Sequence, residues 1–359
     1  MGERVVVRAD GSHRMGFGHL SRMLTLAEGL RAAGYAPCFV TRAADPAMLG
    51  RIEGAGLAFE QLPPDAGWAL DIAQTSASIA RLAAPVVVTD LSSDEAVGQP
   101  RAYGEYLAGL KATGALLVAF DDFKRLPFAP DVLVNSNVGA EAQYDGTMAG
   151  TCLLGPRYFP LSQRLAEVGR RRRVREPARR IMVTMGSGDH LGLTPKVVEA
   201  LRHVRASEPL EVVVFPHLQA DRAKEAGSLA PGFPGRLEVV EPLSDLVDYL
   251  EWADVAVTAA GVTKYETAAA GVPSVILAQV PHQDPLAGQF AVHGSARYLG
   301  MGDAVPVVEI AAAVEAILGD EPRRRAMTEA GRRLVDGRGV ERIVDEIRQR
   351  AETERRRAR

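Results

Sequence analysis

Cysteine is nearly absent: Cys38 and Cys152 are the only two in 359 residues. Two thiols cannot build a disulfide framework or a four-cysteine zinc site. Such scarcity fits a reducing compartment, so a cytoplasmic location is the expectation. No H-x-x-x-H or C-x-x-C spacing occurs, Asp90 and Asp94 stand four apart, and Asp121-Asp122 is not a D-x-D pair. No metal and no cofactor are therefore expected. A G-x-S-x-G elbow is missing, which leaves serine-hydrolase chemistry without support. So is any uninterrupted apolar run of about 18 residues, the minimum for a membrane span. Val5-Val6-Val7 meets Arg8 and Asp10 at once, too short and too polar for a signal peptide. Basic excess is lacking too: 42 Lys and Arg face 45 Asp and Glu, for a net charge of -3. A nucleic-acid partner is thereby disfavoured.

What is present is an ordinary globular composition, 47% hydrophobic and 24% charged, long enough for two domains. Short Val/Leu-rich runs alternate with longer amphipathic segments. Strands are expected at 5–7, 37–41, 86–89, 116–120 and 132–134, with helices at 19–33, 46–55, 70–82 and 102–112. A second series follows, with strands at 181–185, 212–215, 237–240, 255–258 and 274–277. Its helices are expected at 195–205, 243–252, 264–270 and 284–293. Apolar runs without alternation fit strands covered on both faces, and strand–helix–strand repetition predicts parallel sheets. The fold class is α/β, with Rossmann-like domains over 1–165 and 180–320 and a cleft between them. The Arg-rich run from Gly169 to Arg180 reads as a solvated linker. Residues 321–359 read as C-terminal helices packing back across the domains.

Ligands of open α/β sheets bind beyond the carboxyl ends of the strands, so motifs there carry the functional argument. The first expected strand leads through Asp10 to Gly16-Phe17-Gly18-His19-Leu20-Ser21-Arg22. Gly16 and Gly18 permit a tight turn and close ligand approach. His19, in the first turn of the following helix, is placed as a general base. The helix N-terminus should lower its pKa, because it disfavours the cation. Ser21 stands where the dinucleotide fingerprint needs its third glycine, which disfavours a hydride-transfer enzyme. Met185-Gly186-Ser187-Gly188-Asp189 repeats the design, with Thr194-Pro195 as the expected helix start and amides for a diphosphate. In Gly261-Val262-Thr263-Lys264-Tyr265-Glu266, the Thr263–Glu266 spacing fits either a capping box or a ribose-binding carboxylate with a phosphate-binding threonine. Pro281-His282-Gln283-Asp284 follows the next strand.

Taken in order, these motifs resemble the PseG-like family, the UDP-sugar hydrolases of the pseudaminic acid route related to the GT-B glycosyltransferase MurG. Gly16 to Arg22, Phe120-Asp121-Asp122, Leu154-Gly155-Pro156-Arg157-Tyr158, Met185 to Asp189 and Ala260 to Glu266 carry the resemblance almost end to end. It implies a GT-B fold, two Rossmann-like domains whose parallel sheets face a central cleft, with the nucleotide held mainly by the second. It implies His19 as the catalytic base that activates water. Gly16, Gly18, Gly186, Ser187, Gly188, Gly261 and Thr263 would serve the phosphates, Glu266 the ribose and the backbone near Leu243 the uracil. Asp10, His282 and Gln283 would lie near the sugar. His282-Gln283 departs from the family's Asn-Gln, and Met-Gly-Ser-Gly departs from its Gly-Gly. Both departures bear on the identity of the sugar. The implied activity is nucleotide-sugar hydrolysis. The alternative is a GT-B glycosyltransferase with a nucleotide-sugar donor and a small-molecule or glycan acceptor, because one base serves either nucleophile.

Overall fold

The structure, a computed structural model, describes residues 2–11, 17–91, 99–123, 130–144, 150–186, 189–215, 224–225, 227–240 and 246–357. The chain forms two compact units, Met1–Leu161 with Arg338–Arg359, and Ser162–Gly337.

The first unit holds a seven-stranded sheet. Its strands are β1 (Arg4–Ala9), β2 (Ala36–Thr41), β3 (Ala58–Gln61), β4 (Val86–Asp90), β5 (Leu116–Phe120), β6 (Val132–Asn135) and β7 (Thr151–Leu154). They lie in the order β3-β2-β1-β4-β5-β6-β7, and every pairing is parallel. Helices α1 (Gly18–Ala32), α2 (Pro46–Gly54), α3 (Trp68–Leu82) and α4 (Pro100–Ala112) connect them. Val5 to Val7, Val86 to Val88 and Leu117 to Phe120 are fully buried, as expected of strands covered on both faces.

The second unit repeats the plan with β8 (Arg180–Thr184), β9 (Leu210–Phe215), β10 (Gly235–Val239), β11 (Val255–Ala259), β12 (Ser274–Ala278) and β13 (Ala296–Met301). Their order is β10-β9-β8-β11-β12-β13, again parallel throughout. Its helices include α5 (Gln163–Arg171), α6 (Leu193–Arg202), α7 (Val247–Trp252), α8 (Thr263–Ala270), α9 (Gln283–Ala291), α10 (Val307–Leu318) and α11 (Glu321–Leu334). The last helix, α12 (Gly339–Arg357), belongs to the first unit. The C-terminal segment is thus divided between the units, α11 in one and α12 in the other.

The strand order reverses once in each sheet, between β1 and β4 and between β8 and β11. At such a switch point neighbouring loops leave in opposite directions and open a crevice beyond the carboxyl ends of the strands.

The arginine run is not a solvated linker. Gln163–Arg171 is helical, and the arginines after it fold onto the second unit. Arg172 donates to the carbonyls of Leu250 (3.0 Å), Glu251 and Ala253, and Arg175 to those of Trp252 (3.0 Å) and Glu251 and to the Asp254 carboxylate (3.0 Å). These are the unpaired carbonyls at the C-terminus of α7, where cations are favoured. Burial, with the like charge of Arg175, pulls the Arg172 pKa down to about 10 against the pull of Asp254 and Glu251.

Helix α8 is seated by two glycines. A β-carbon on Gly169 of α5 would lie 2.0 Å from the Ala269 carbonyl oxygen, and one on Gly331 of α11 would lie 2.7 Å from that of Ala268. In an ordinary helix Gly→Ala gains about 0.5–1 kcal/mol. Here Gly169→Ala should instead destabilise the second unit by about 1–3 kcal/mol, because packed backbone must move. Thermal unfolding would read this as a Tm lowered by about 2–4 °C for each kcal/mol. An unchanged or raised Tm would show that the seat yields freely.

Candidate functional site

At the switch point of the first unit, α1 begins at Gly18, with Phe17 before it and no side-chain cap. Gly16 lies outside the described residues. One turn places His19 and Arg22 on the same face of α1. Strand β4 ends on Asp90, and Asp122 follows β5. These four side chains form one buried cluster. His19 Nδ1 lies 2.8 Å from Asp90 Oδ1. Arg22 forks onto the same carboxylate, Nη2 to Oδ1 at 2.6 Å and Nε to Oδ2 at 2.5 Å. It also reaches Asp122, Nη1 to Oδ1 at 3.0 Å and Nη2 to Oδ2 at 2.9 Å. Its guanidinium stacks over the Phe120 ring, 5.1 Å from the centroid.

The tautomer follows from these contacts. Asp90 is ionised: burial favours its neutral form, but Arg22 and His19 outweigh that and hold its pKa well below the ordinary value. An ionised carboxylate only accepts, so Nδ1 carries the hydrogen and Nε2 is the basic nitrogen. The Asp90 side chain is fully buried, whereas that of His19 is 20% exposed. A buried carboxylate holding an imidazole with one free nitrogen is the arrangement of a general base.

The charge state of His19 corrects the expectation drawn from its helix-start position. Burial does pull its pKa down, but the charge and hydrogen bond of Asp90, aided by Asp122 and opposed by Arg22, raise it above the ordinary 6.5. A carboxylate 2.8 Å away outweighs the partial charge of a helix terminus.

Asp10, expected near a sugar, is 4% exposed and heavily engaged. Arg8 donates to it at 2.5 and 2.9 Å, and Arg42 donates from its backbone N–H and from Nε, each at 2.8 Å. Arg8 is fully buried and also binds Asp71, which accepts from Tyr106 (3.0 Å) and Thr75 (3.1 Å) as well. Burial raises the Asp10 pKa, but Arg8 and Arg42 reverse this and leave it below the carboxylate norm. Asp121 accepts from the Tyr144 hydroxyl at 2.8 Å and from the Phe123 N–H at 3.2 Å, so the two neighbouring aspartates have different duties.

In the second unit, β8 leads to Gly186 at φ +70°, a left-handed position suited to glycine. Ser187 and Gly188 lie outside the described residues, as does Leu243. Thr194 does not cap α6. The helix starts at Leu193, and Asp189 accepts from the N–H groups of Leu193 (2.7 Å) and Thr194 (3.1 Å). A carboxylate of the chain itself already fills that anion position.

Strand β11 leads through Ala260 and Gly261 into α8. A β-carbon on Gly261 would meet nothing within 4 Å, so packing does not require glycine there. Thr263 is the first helical residue, with Val262 in the cap position and no side-chain cap bond. The Thr263–Glu266 capping box is therefore not formed. Glu266 is half-buried in the first turn of α8. Lys264, 4% exposed, donates to the carbonyls of Ala260 (3.0 Å) and Gly261 (3.2 Å) and lies 4.3 Å from the Tyr265 ring centroid. It fixes the loop that presents α8. Gln279, after β12, donates across the end of β11 to the Met185 carbonyl after β8. Gln283 accepts from the Gln279 N–H at 3.0 Å, which engages its side-chain oxygen, and His282 is exposed at the start of α9. Among the described residues, no group of three or more His, Cys, Asp or Glu side chains is arranged to hold a metal ion. No helix among them is long and apolar enough to cross a membrane.

Two parallel-sheet Rossmann-like units in this order are the GT-B fold. Solved structures of that class share it across nearly the whole chain: MurG of Acinetobacter baumannii matches with a TM-score of 0.65 and 14% identity, over 97% of this chain and 100% of that one. The MnaA structure of S. aureus with UDP matches with a TM-score of 0.64 and 14% identity, over 96% of each chain. In sequence, the chain is similar to the spore coat polysaccharide biosynthesis protein SpsG of Bacillus subtilis (strain 168). The two are 26% identical over 349 residues, 95% of this chain and 96% of SpsG. No protein-family model matches the chain. None of these three relatives carries a hydrolase name, so the implied hydrolysis gains no support from them.

Proposed function

We propose that the protein is a glycosyltransferase that uses a nucleotide-sugar donor, with UDP as the nucleotide. The observation that carries this reading is the His19–Asp90 pair at the switch point of a GT-B unit. The acceptor hydroxyl gives its proton to Nε2 of His19. Its oxygen bonds to the anomeric carbon, and the bond from that carbon to the diphosphate oxygen breaks, the nucleoside diphosphate leaving with the electron pair. Asp90 stabilises the imidazolium that results. The polysaccharide role named for SpsG favours a glycan or sugar acceptor over water.

The second unit supplies the nucleotide site. The amides opening α8, with Thr263, suit the diphosphate, and Gly261 leaves room for its close approach. Glu266 suits the ribose diol. Gly186 with Ser187 and Gly188 remains a second phosphate-facing loop, although Asp189 has taken the N–H groups of α6. Leu243 is retained for the uracil, and His282 and Gln283 for the sugar. Gly16 and Gly18 are retained for the phosphates. Asp10, matched by Arg8 and Arg42, is retained with them near the sugar.

Glu266→Ala should weaken UDP binding by about 1.5–3 kcal/mol, the range for hydrogen bonds to a charged group, and leave Tm unchanged. Calorimetric titration and a melting curve check this. A lowered Tm with intact affinity would return Glu266 to a purely helical duty.

The reading as a whole is tested by offering UDP-, CDP-, GDP- and dTDP-sugars to the purified protein, with and without sugar acceptors. Diphosphate release that requires an acceptor supports transfer. Equal release of free sugar without one would make the enzyme a hydrolase. No release and no nucleotide binding would refute both.

A further inference from the structure

His19 belongs to a cluster of four charged or titratable groups, in which Arg22 touches both carboxylates. Asp90 reaches the imidazole from β4, Arg22 comes from the next turn of α1, and Asp122, after β5, is held by Arg22 and acts on the ring by its charge. Counting formal charges, Asp90 and Asp122 contribute two negatives and Arg22 one positive. With a neutral imidazole the cluster carries one net negative charge, and with an imidazolium it carries none. Without Arg22, the negative charges of Asp90, fully buried, and Asp122, partly buried, would act on the ring unopposed, and the proton would be held more tightly.

We propose that Arg22 is the positioning residue that keeps His19 usable as a base, by binding Asp90, which holds the imidazole, together with the neighbouring Asp122, and cancelling one of their two charges. The geometry suits this duty. Its side chain is 5% exposed and its guanidinium is fixed by the fork on Asp90, by both oxygens of Asp122 and by the Phe120 ring. Nη2 comes within 3.3 Å of His19 Nδ1, and both nitrogens donate to the same Asp90 oxygen. The positive charge therefore sits beside the ring without competing for Nε2. The separate effects have matching signs: Asp90 and Asp122 raise the His19 pKa, and Arg22 lowers it. A lysine could supply the charge but not the fork, since only a guanidinium matches a carboxylate with two parallel donors.

This inference rests on the proposed role of His19 as the base, but its test does not need a substrate. The His19 ring is titrated by NMR in the free protein, its signal assigned from a His19→Gln sample. Arg22→Met should move the midpoint up by about one pH unit, and Asp122→Asn should move it down by a similar amount. Arg22→Lys should return it towards the wild-type value. If Arg22→Met does not fold, Asp122→Asn and Arg22→Lys still decide the matter. Midpoints that stay together in the folded variants would overturn the proposal, whatever activity the enzyme has. Where turnover is measurable, the acidic limb of kcat/KM should move with the midpoint. A merely structural loss would lower the whole profile without displacing it.

Discussion

His19→Ala is expected to lower kcat by roughly 10²–10⁴-fold, the usual contribution of a positioned general base. UDP affinity should hardly change, because the residues proposed for the ribose and uracil, Glu266 and Leu243, and most of those proposed for the phosphates lie in the second unit. Kinetics together with calorimetric titration separate the two effects. Full turnover in the variant would remove His19 from the mechanism. The wild-type pH profile adds a second check. His19 titrates above its ordinary 6.5, so the reactive neutral form accumulates as pH rises, and the acidic limb of kcat/KM should fall above that value. The His19⁺–Asp90⁻ attraction has the opposite dependence. Its contribution to stability is complete below the unfolded pKa and fades as pH rises through the folded one. Activity should thus increase over the range in which this small stabilisation disappears. Asp90→Asn should shift the limb downward and reduce kcat, since an amide neither attracts the proton nor fixes the tautomer.

Arg8→Met should cost about 3–5 kcal/mol of stability, the range for breaking a buried ion pair from one side. Natural domains have about 5–15 kcal/mol in total, so this one change would bring the first unit close to unfolding. The size of the effect comes from what is left behind. Asp10 would retain Arg42, but Asp71 is 1% exposed and would keep only the Tyr106 and Thr75 hydroxyls and Arg42 Nε at 3.9 Å. Urea unfolding followed by circular dichroism would measure the loss. A change below about 1 kcal/mol would mean that water or a rearranged Arg42 replaces the guanidinium. For Asp10 the pH dependence runs the other way from that of His19. Its pKa is lowered in the fold, so its contribution is present above 3.8 and is lost as pH falls through the depressed value.

The interior of both sheets was legible in the residues. The run Leu116–Phe120 coincides with β5, and the other central strands differ by one or two residues at their ends. The strands without a readable signal were β3, β7 and β13, and all three lie at sheet edges. Edge strands are covered incompletely: Ala58–Gln61 and Ala296–Met301 are largely half-exposed or exposed, so no continuous apolar run marks them. The base was legible because a histidine after a glycine turn at a strand end is an unusual placement. Its direct partner, Asp90, was not. Asp90 is 71 positions away in sequence, and its visible spacing to Asp94 suggested only a metal pair to be dismissed. Its position as the last residue of Val86-Val87-Val88-Thr89-Asp90 was the usable signal, since a carboxylate ending a buried parallel strand lies at the ligand edge of the sheet. The start of α6 was misread because Asp189, four residues before Leu193, accepts from its opening N–H groups where Thr194 was expected to cap.

The division of the C-terminal helices sets an order of events during synthesis. The second unit ends at Gly337, so its whole sequence has been made before α12 exists. The first unit, although it contains the opening residues of the chain, is completed only by α12, whose Ile343, Val344, Ile347 and Ala351 are buried. That helix meets α1 closely enough for a β-carbon on Gly29 to strike the Val340 side chain. Of the two units, the one whose sequence starts earlier is therefore the later to close. Until then the face of α1 around Gly29 that packs against α12 stays uncovered.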